Sequence, residues 1–119
     1  MIYEILFVFL RTYNSNMDNK AENIEKLTTF AKAMGHPTRM EILAFLLEQN
    51  TCYFGDIHDV FPNAKATISQ HLKELKNAGL IQGEIEGPKV KYCINKENWE
   101  LARLLFADFF KSGVKTKCC

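Results

Sequence analysis

Net charge is scarce in this chain. Fifteen lysines and arginines stand against fourteen acids, a formal +1 over 119 residues. A chain this close to neutral cannot hold an acidic polymer by bulk charge, so any such partner must be met by local patterning. Long apolar runs are missing too. Ile2 to Leu10 is apolar apart from Glu4, far short of the ~20 residues that cross a bilayer. It has no basic start and no small-residue cleavage site, which argues against a secretory signal. Without one the chain reads as cytoplasmic, where thiols stay reduced. Cys52, Cys93, Cys118 and Cys119 are therefore expected as free thiols, either buried as small apolar residues or available to soft metals. No paired-carboxylate cleft, nucleophile–base arrangement or Gly-rich phosphate loop can be pointed to, so the chain is not read as an enzyme.

What is present begins with an ordinary globular composition, 47% hydrophobic, enough for one domain with a real core. The rest is organised around Phe61 to Leu80. This stretch opens with Pro62 and Asn63, which can N-cap, and closes with Gly79, the residue a helix end favours. Ile68, Leu72 and Leu75 recur at helical spacing and predict one buried stripe. At 100° per residue, Ala66, Gln70, Lys73 and Asn77 fall on the opposite side with Thr67 and Ser69 beside them. Such a face is either a solvated surface or a set of groups that hydrogen-bond base edges and phosphates. From Asn63 to Lys91 five lysines meet three glutamates, a local +2.

The flanks favour the second alternative. Ile24, Leu27, Ala31 and Met34, with Phe30 beside them, predict a helix over about 20–34. Gly35-His36-Pro37 ends it and starts another, over about 37–49, with Met40, Leu43, Leu46 and Leu47 inward. A short helix is expected over 53–61, carrying Phe54, Ile57, Val60 and Phe61. Directly followed by the organising helix, it makes a helix-turn-helix. Ile81, Ile85, Val90, Tyr92 and Ile94 then alternate about Gly87-Pro88, a hairpin with Lys89 at its tip and Lys91 on the same face. A basic hairpin in that place is a wing. The last helix, over about 96–111 with Asn95 as N-cap, is apolar nearly all round through Trp99, Leu105, Phe106 and Phe109. A second copy of the same helix covers such a surface most simply, giving a two-fold dimer.

The expected fold class is therefore mainly α with a small β-hairpin wing: a winged helix-turn-helix with the dimer built on terminal helices. Residues 17–111 form the domain and 112–119 a polar tail ending in the Cys118-Cys119 pair. Residues 1–16 are an extension. Met17 is read as the native start; an extra covering element or a hydrophobic arm are the other readings.

Ala33-Met34-Gly35-His36-Pro37-Thr38-Arg39-Met40-Glu41-Ile42-Leu43 resembles the start of the second helix in the ArsR/SmtB family of bacterial transcriptional repressors. Thr67-Ile68-Ser69-Gln70-His71-Leu72-Lys73-Glu74-Leu75-Lys76-Asn77-Ala78-Gly79-Leu80-Ile81 resembles that family's recognition helix. The resemblance runs in order from about Glu22 to Phe110. It implies a homodimer on a double-stranded DNA operator, with Lys65, Thr67, Ser69, Gln70, His71, Lys73, Lys89 and Lys91 contacting DNA and no membrane involved. No cofactor is obligatory. The implied inducer is trivalent arsenic or another soft metal ion.

The family's usual Cys-x-Cys sensor is reduced here to Cys52 alone. Its zinc-type site lacks a partner for Asp108, since no histidine follows His71. Cys118 and Cys119, with Cys93 as third sulfur, are the expected ligands; the alternative is a tail whose thiols do nothing. His36 is read as fixing a turn and His58 as lying on a solvated face. Two other functions stay open: a repressor whose thiols oxidise, and a winged-helix protein-interaction module without a DNA target.

Overall fold

The computed structural model describes Glu4 and residues 20–86 and 89–114. Helix α1 (Lys20–Met34) has the expected bounds, but its inner face is turned. Leu27, Phe30 and Ala33 are buried, while Ile24 is 45% exposed and Ala31 faces out. Periodicity limits the width of a stripe; the three later helices, which all touch this one, decide which edge is covered.

Helix α2 (Pro37–Glu48) starts as its sequence requires. His36 is the N-cap, its Nδ1 accepting the Thr38 N–H at 3.1 Å, and Pro37 follows in the first turn. Ile42, Leu43 and Leu46 are essentially inaccessible, joined by Thr38. Met40 and Leu47, expected inward, lie at the surface at 47% and 40% exposure.

The chain then turns through Asn50 and Thr51, both at positive φ (54° and 79°). This left-handed pair costs about 1–2 kcal/mol per residue. It directs the chain into strand β1 (Cys52–Tyr53), and Thr51 O accepts from the Ile94 N–H at 2.7 Å. The helix expected over 53–61 is thus corrected to a strand followed by one 3-10 turn, Ile57–Asp59. The turn is capped by the Asp56 carboxylate, which accepts the His58 N–H at 3.0 Å. Pairing of β1 along the hairpin satisfies backbone groups that a short helix would otherwise have carried. Ile57 enters the core at 2% exposure, whereas Phe54 stays 66% exposed.

Helix α3 (Lys65–Asn77) follows. Its N-cap is Ala64 with no side-chain cap bond, so Asn63 does not serve as the expected cap. At the other end Gly79 adopts φ +84°, and Leu80 N–H returns to Leu75 O at 3.1 Å, closing the helix as a glycine cap should. Strands β2 (Ile81–Glu86) and β3 (Lys89–Ile94) form the hairpin. With β1 they make an antiparallel sheet in the order β1-β3-β2. Helix α4 (Lys96–Phe110) is capped by Asn95, whose side chain accepts the Asn98 N–H at 3.2 Å.

The core lies where α1, α2 and α3 meet the root of the sheet. Ile42, Leu46, Ile68, Leu75 and Leu80 are wholly inaccessible there. Each such side chain contributes roughly 1.5–3 kcal/mol over its exposed state, which makes α3 a rigid platform.

Candidate nucleic-acid interface

Helix α3 separates its faces cleanly. Ile68, His71, Leu72 and Leu75 are buried; Lys65, Ala66, Thr67, Ser69, Gln70, Lys73 and Asn77 are exposed. The outer face thus joins five of the side chains expected to meet DNA, Lys65, Thr67, Ser69, Gln70 and Lys73, all on one rigid element. No acid stands in the first turn, and its N–H groups have no side-chain cap, which favours an anion there.

His71 is a correction. It is 8% exposed, on the inner side of α3. Its Nδ1 accepts from Arg39 Nε at 3.2 Å, and its ring lies 4.4 Å from that of His36. Burial first, then His36 and Arg39, lower its pKa from the ordinary 6.5, so it is neutral at physiological pH and joins α2 to α3. At 100° per residue, position 71 lies only one step from Leu72 and three from Ile68, a placement the sequence already contained.

The free protein engages two of the outer side chains locally. Gln70 Nε2 donates to Glu74 Oε1 at 2.9 Å. Ser69 Oγ lies 2.8 Å from His58 Nε2, and His58 Nδ1 lies 2.9 Å from Asp56 Oδ1. His58 is therefore no idle surface group; it ties the 3-10 turn to α3. Its spacing of eleven residues from Ser69 carries no periodic signal, so only the folded chain reveals the link.

In the wing the two lysines part company. Lys89 is exposed at the start of β3. Lys91 pairs with Glu84 at 3.0 Å, has a side chain only 17% exposed, and lies 5.1 Å from the centroid of Phe54. Lys91 thus ties β2 to β3 and to the segment after β1, whereas Lys89 is the wing lysine at the surface.

The thiols also rearrange. Cys52 and Cys93 are directly opposed in the β1–β3 register, with Cα atoms 4.0 Å apart, and form a disulfide. The expectation of four free thiols, drawn from a reducing compartment alone, is corrected at this pair, because the β1–β3 register sets the two side by side. Cys118 and Cys119 lie outside the described residues. Among the described residues, no group of three His, Cys, Asp or Glu side chains could hold a metal ion.

On α4, Leu105 is 4% exposed, packed in the core of the single chain, so it offers no surface for the dimer contact expected of it. Trp99 and Phe106 are partly buried, and Phe109 and Phe110 are 57% and 72% exposed. Among the described residues no helix is long and apolar enough to cross a membrane.

A polar helix face on a rigid platform, followed at once by a short hairpin, defines a winged helix-turn-helix DNA-binding protein. The chain belongs to the arsR family of bacterial regulatory proteins. The family model "Bacterial regulatory protein, arsR family" matches residues 36–82. The chain is 39% identical over 85 residues to MJ1325 of Methanocaldococcus jannaschii, described as an uncharacterized HTH-type transcriptional regulator; 71% of this chain and 96% of that one are covered. It is 31% identical over 104 residues to the arsenical resistance operon repressor of Bacillus subtilis, covering 86% and 98%. Among solved structures, reduced HlyU from Vibrio cholerae aligns with a TM-score of 0.61 at 22% identity, covering 81% and 100%; that likeness concerns the fold. The relatives are transcriptional regulators, not enzymes.

Proposed function

We propose that this chain is a cytoplasmic, homodimeric repressor that occupies a double-stranded operator and leaves it when a thiophilic metalloid or metal binds. The exposed face of α3 carries the DNA part of this reading: Thr67, Ser69, Gln70 and Lys73 project from a helix whose other side is locked in the core. Lys89 adds a cation from the wing. In a two-fold dimer the two α3 helices would enter successive major grooves about 34–36 Å apart.

Transmission to DNA has a structural route. Asn98 Nδ2, in the first turn of α4, donates to Gly79 O at 2.8 Å, and Asn95 N–H donates to Leu80 O at 2.9 Å. The start of the dimer helix is therefore fastened to the end of the recognition helix. An inducer that repacks α4 would change the spacing of the α3 helices, and the two states would differ in DNA affinity.

The name of the Bacillus subtilis relative supports an arsenite-type inducer. Cys118 and Cys119, with Cys93 as third sulfur, remain the proposed ligands. Because Cys93 is bonded to Cys52, it can contribute only once that disulfide is reduced. A mixture of soft thiolates selects soft ions over magnesium or calcium. The same disulfide favours a second reading, a thiol redox repressor. There, two thiols give two electrons and two protons to a hydroperoxide, leaving a disulfide, an alcohol and water.

One comparison separates the readings. Release from duplex DNA is measured with arsenite and with peroxide for wild type, Cys118→Ser with Cys119→Ser, and Cys52→Ser. The metalloid reading expects the tail variant to lose arsenite release; the redox reading expects Cys52→Ser to lose peroxide release. Duplex binding that does not weaken with salt would leave the protein-interaction alternative instead.

A further inference from the structure

The chain of contacts Asp56–His58–Ser69 decides what Ser69 can offer a ligand. Asp56 Oδ1 lies 2.9 Å from His58 Nδ1 and also accepts the His58 backbone N–H at 3.0 Å. A carboxylate only accepts, so Nδ1 carries the proton. The His58 side-chain bond, followed by its backbone bond, lowers the pKa of Asp56 from 3.8, keeping that carboxylate ionised. In the neutral ring Nε2 is then an acceptor, and the group facing it at 2.8 Å is the Ser69 hydroxyl. A hydroxyl has one proton to give. Committed to His58, it leaves Ser69 only lone pairs for anything approaching the outer face of α3.

We propose that His58, oriented by Asp56, is a positioning residue that fixes Ser69 as a hydrogen-bond acceptor, so that Ser69 reads an amino-bearing base. Phosphate oxygens and the N7 and O6 of guanine are acceptors and do not match it. The major-groove amino groups of cytosine and adenine do. This inference rests on the DNA-binding reading and adds to it the class of base edge that one side chain recognises. The same three residue types serve nucleophilic hydrolysis elsewhere. Here Ser69 stands on an exposed helix face, without the enclosed, water-excluding site such chemistry uses.

The test selects binding sites from a library of random-sequence duplexes with the full chain, followed by affinity measurements on single-base variants of the selected site. Wild type is expected to prefer adenine or cytosine about ten-fold at one position per half-site, the worth of one good hydrogen bond. Ser69→Ala and His58→Phe should both flatten that position and leave the others unchanged. His58→Gln, whose amide oxygen can still take the Ser69 proton, should retain the preference. His58→Lys, a pure donor, should turn it toward guanine. Thermal unfolding of each variant checks that the fold persists. The proposal is overturned if Ser69→Ala flattens no position, or if His58→Gln behaves as His58→Phe does. If wild type selects no sequence and its duplex affinity does not fall with salt, the DNA-binding reading itself fails, a different result from either.

Discussion

Helices α3 and α4 are similar in length, 13 and 15 residues, and both are amphipathic, yet they finish their outer faces in opposite ways. Helix α3 hides Ile68, Leu72 and Leu75 at 0–2% exposure and presents amides, hydroxyls and lysines. Helix α4 hides Ala102 and Leu105 but leaves Phe109 and Phe110 outside, their rings 5.5 Å apart and edge to face. A groove lined by Met34, Trp99, Leu104 and Phe106 adjoins them. The first surface suits water or a phosphate backbone. Exposed aromatic clusters of the second kind mark a protein contact. The contrast teaches that amphipathicity alone does not assign a helix its role; what matters is whether the side away from the core can be left wet.

The most severe way to break this contrast is to charge the apolar end. Phe106→Glu with Phe109→Glu should give monomers in sedimentation. It should also weaken operator binding by roughly 10²-fold or more, because two linked half-sites become independent. A double variant that stays dimeric would place the interface elsewhere. Next comes the polar face. Gln70→Ala should cost about 1–3 kcal/mol on a selected site while sparing non-specific binding; equal losses on both would deny Gln70 a reading role.

Smaller effects test the margins of α3. Lys89→Ala should weaken binding to all duplexes alike and reduce the salt slope by about one unit. Lys91→Ala, already held by Glu84, should change that slope less. On the inner side, His71 has a folded pKa below the ordinary 6.5. The unfolded chain therefore binds its proton first as pH falls. The stability that neutral His71 confers is whole above about 6.5 and declines as pH drops through the interval down to its folded pKa. Denaturant unfolding of wild type against His71→Gln should show that loss in wild type alone.

Much of this architecture was legible in the residues. The bounds of α1, the His36-Pro37 start of α2, the Gly79 stop, the hairpin and the Asn95 cap each depend on a local rule, and each stands where that rule puts it. The misreadings have separate causes. Ile24, Met40 and Leu47 have the spacing of core residues but lie outside, since the crossing of neighbouring helices selects among apolar positions. Strand β1 is two residues long, too short to show alternation. His71 looked polar enough for DNA, although its place on the helix wheel is next to Leu72.

The sequence by itself determined the bounds of α1, the starts of α2 and α4, the Gly79 stop, the hairpin, the face of α3 that turns outward, and the surplus of apolar surface on α4. These follow from periodicity and backbone chemistry within a few turns of each residue. Only the tertiary structure decided the partners. It set Cys52 against Cys93 across a separation of 41 residues, closed Lys91 onto Glu84, and brought His58 to Ser69. Such pairings depend on where distant segments come to rest, and that position is an outcome of packing the whole core, which no local rule contains.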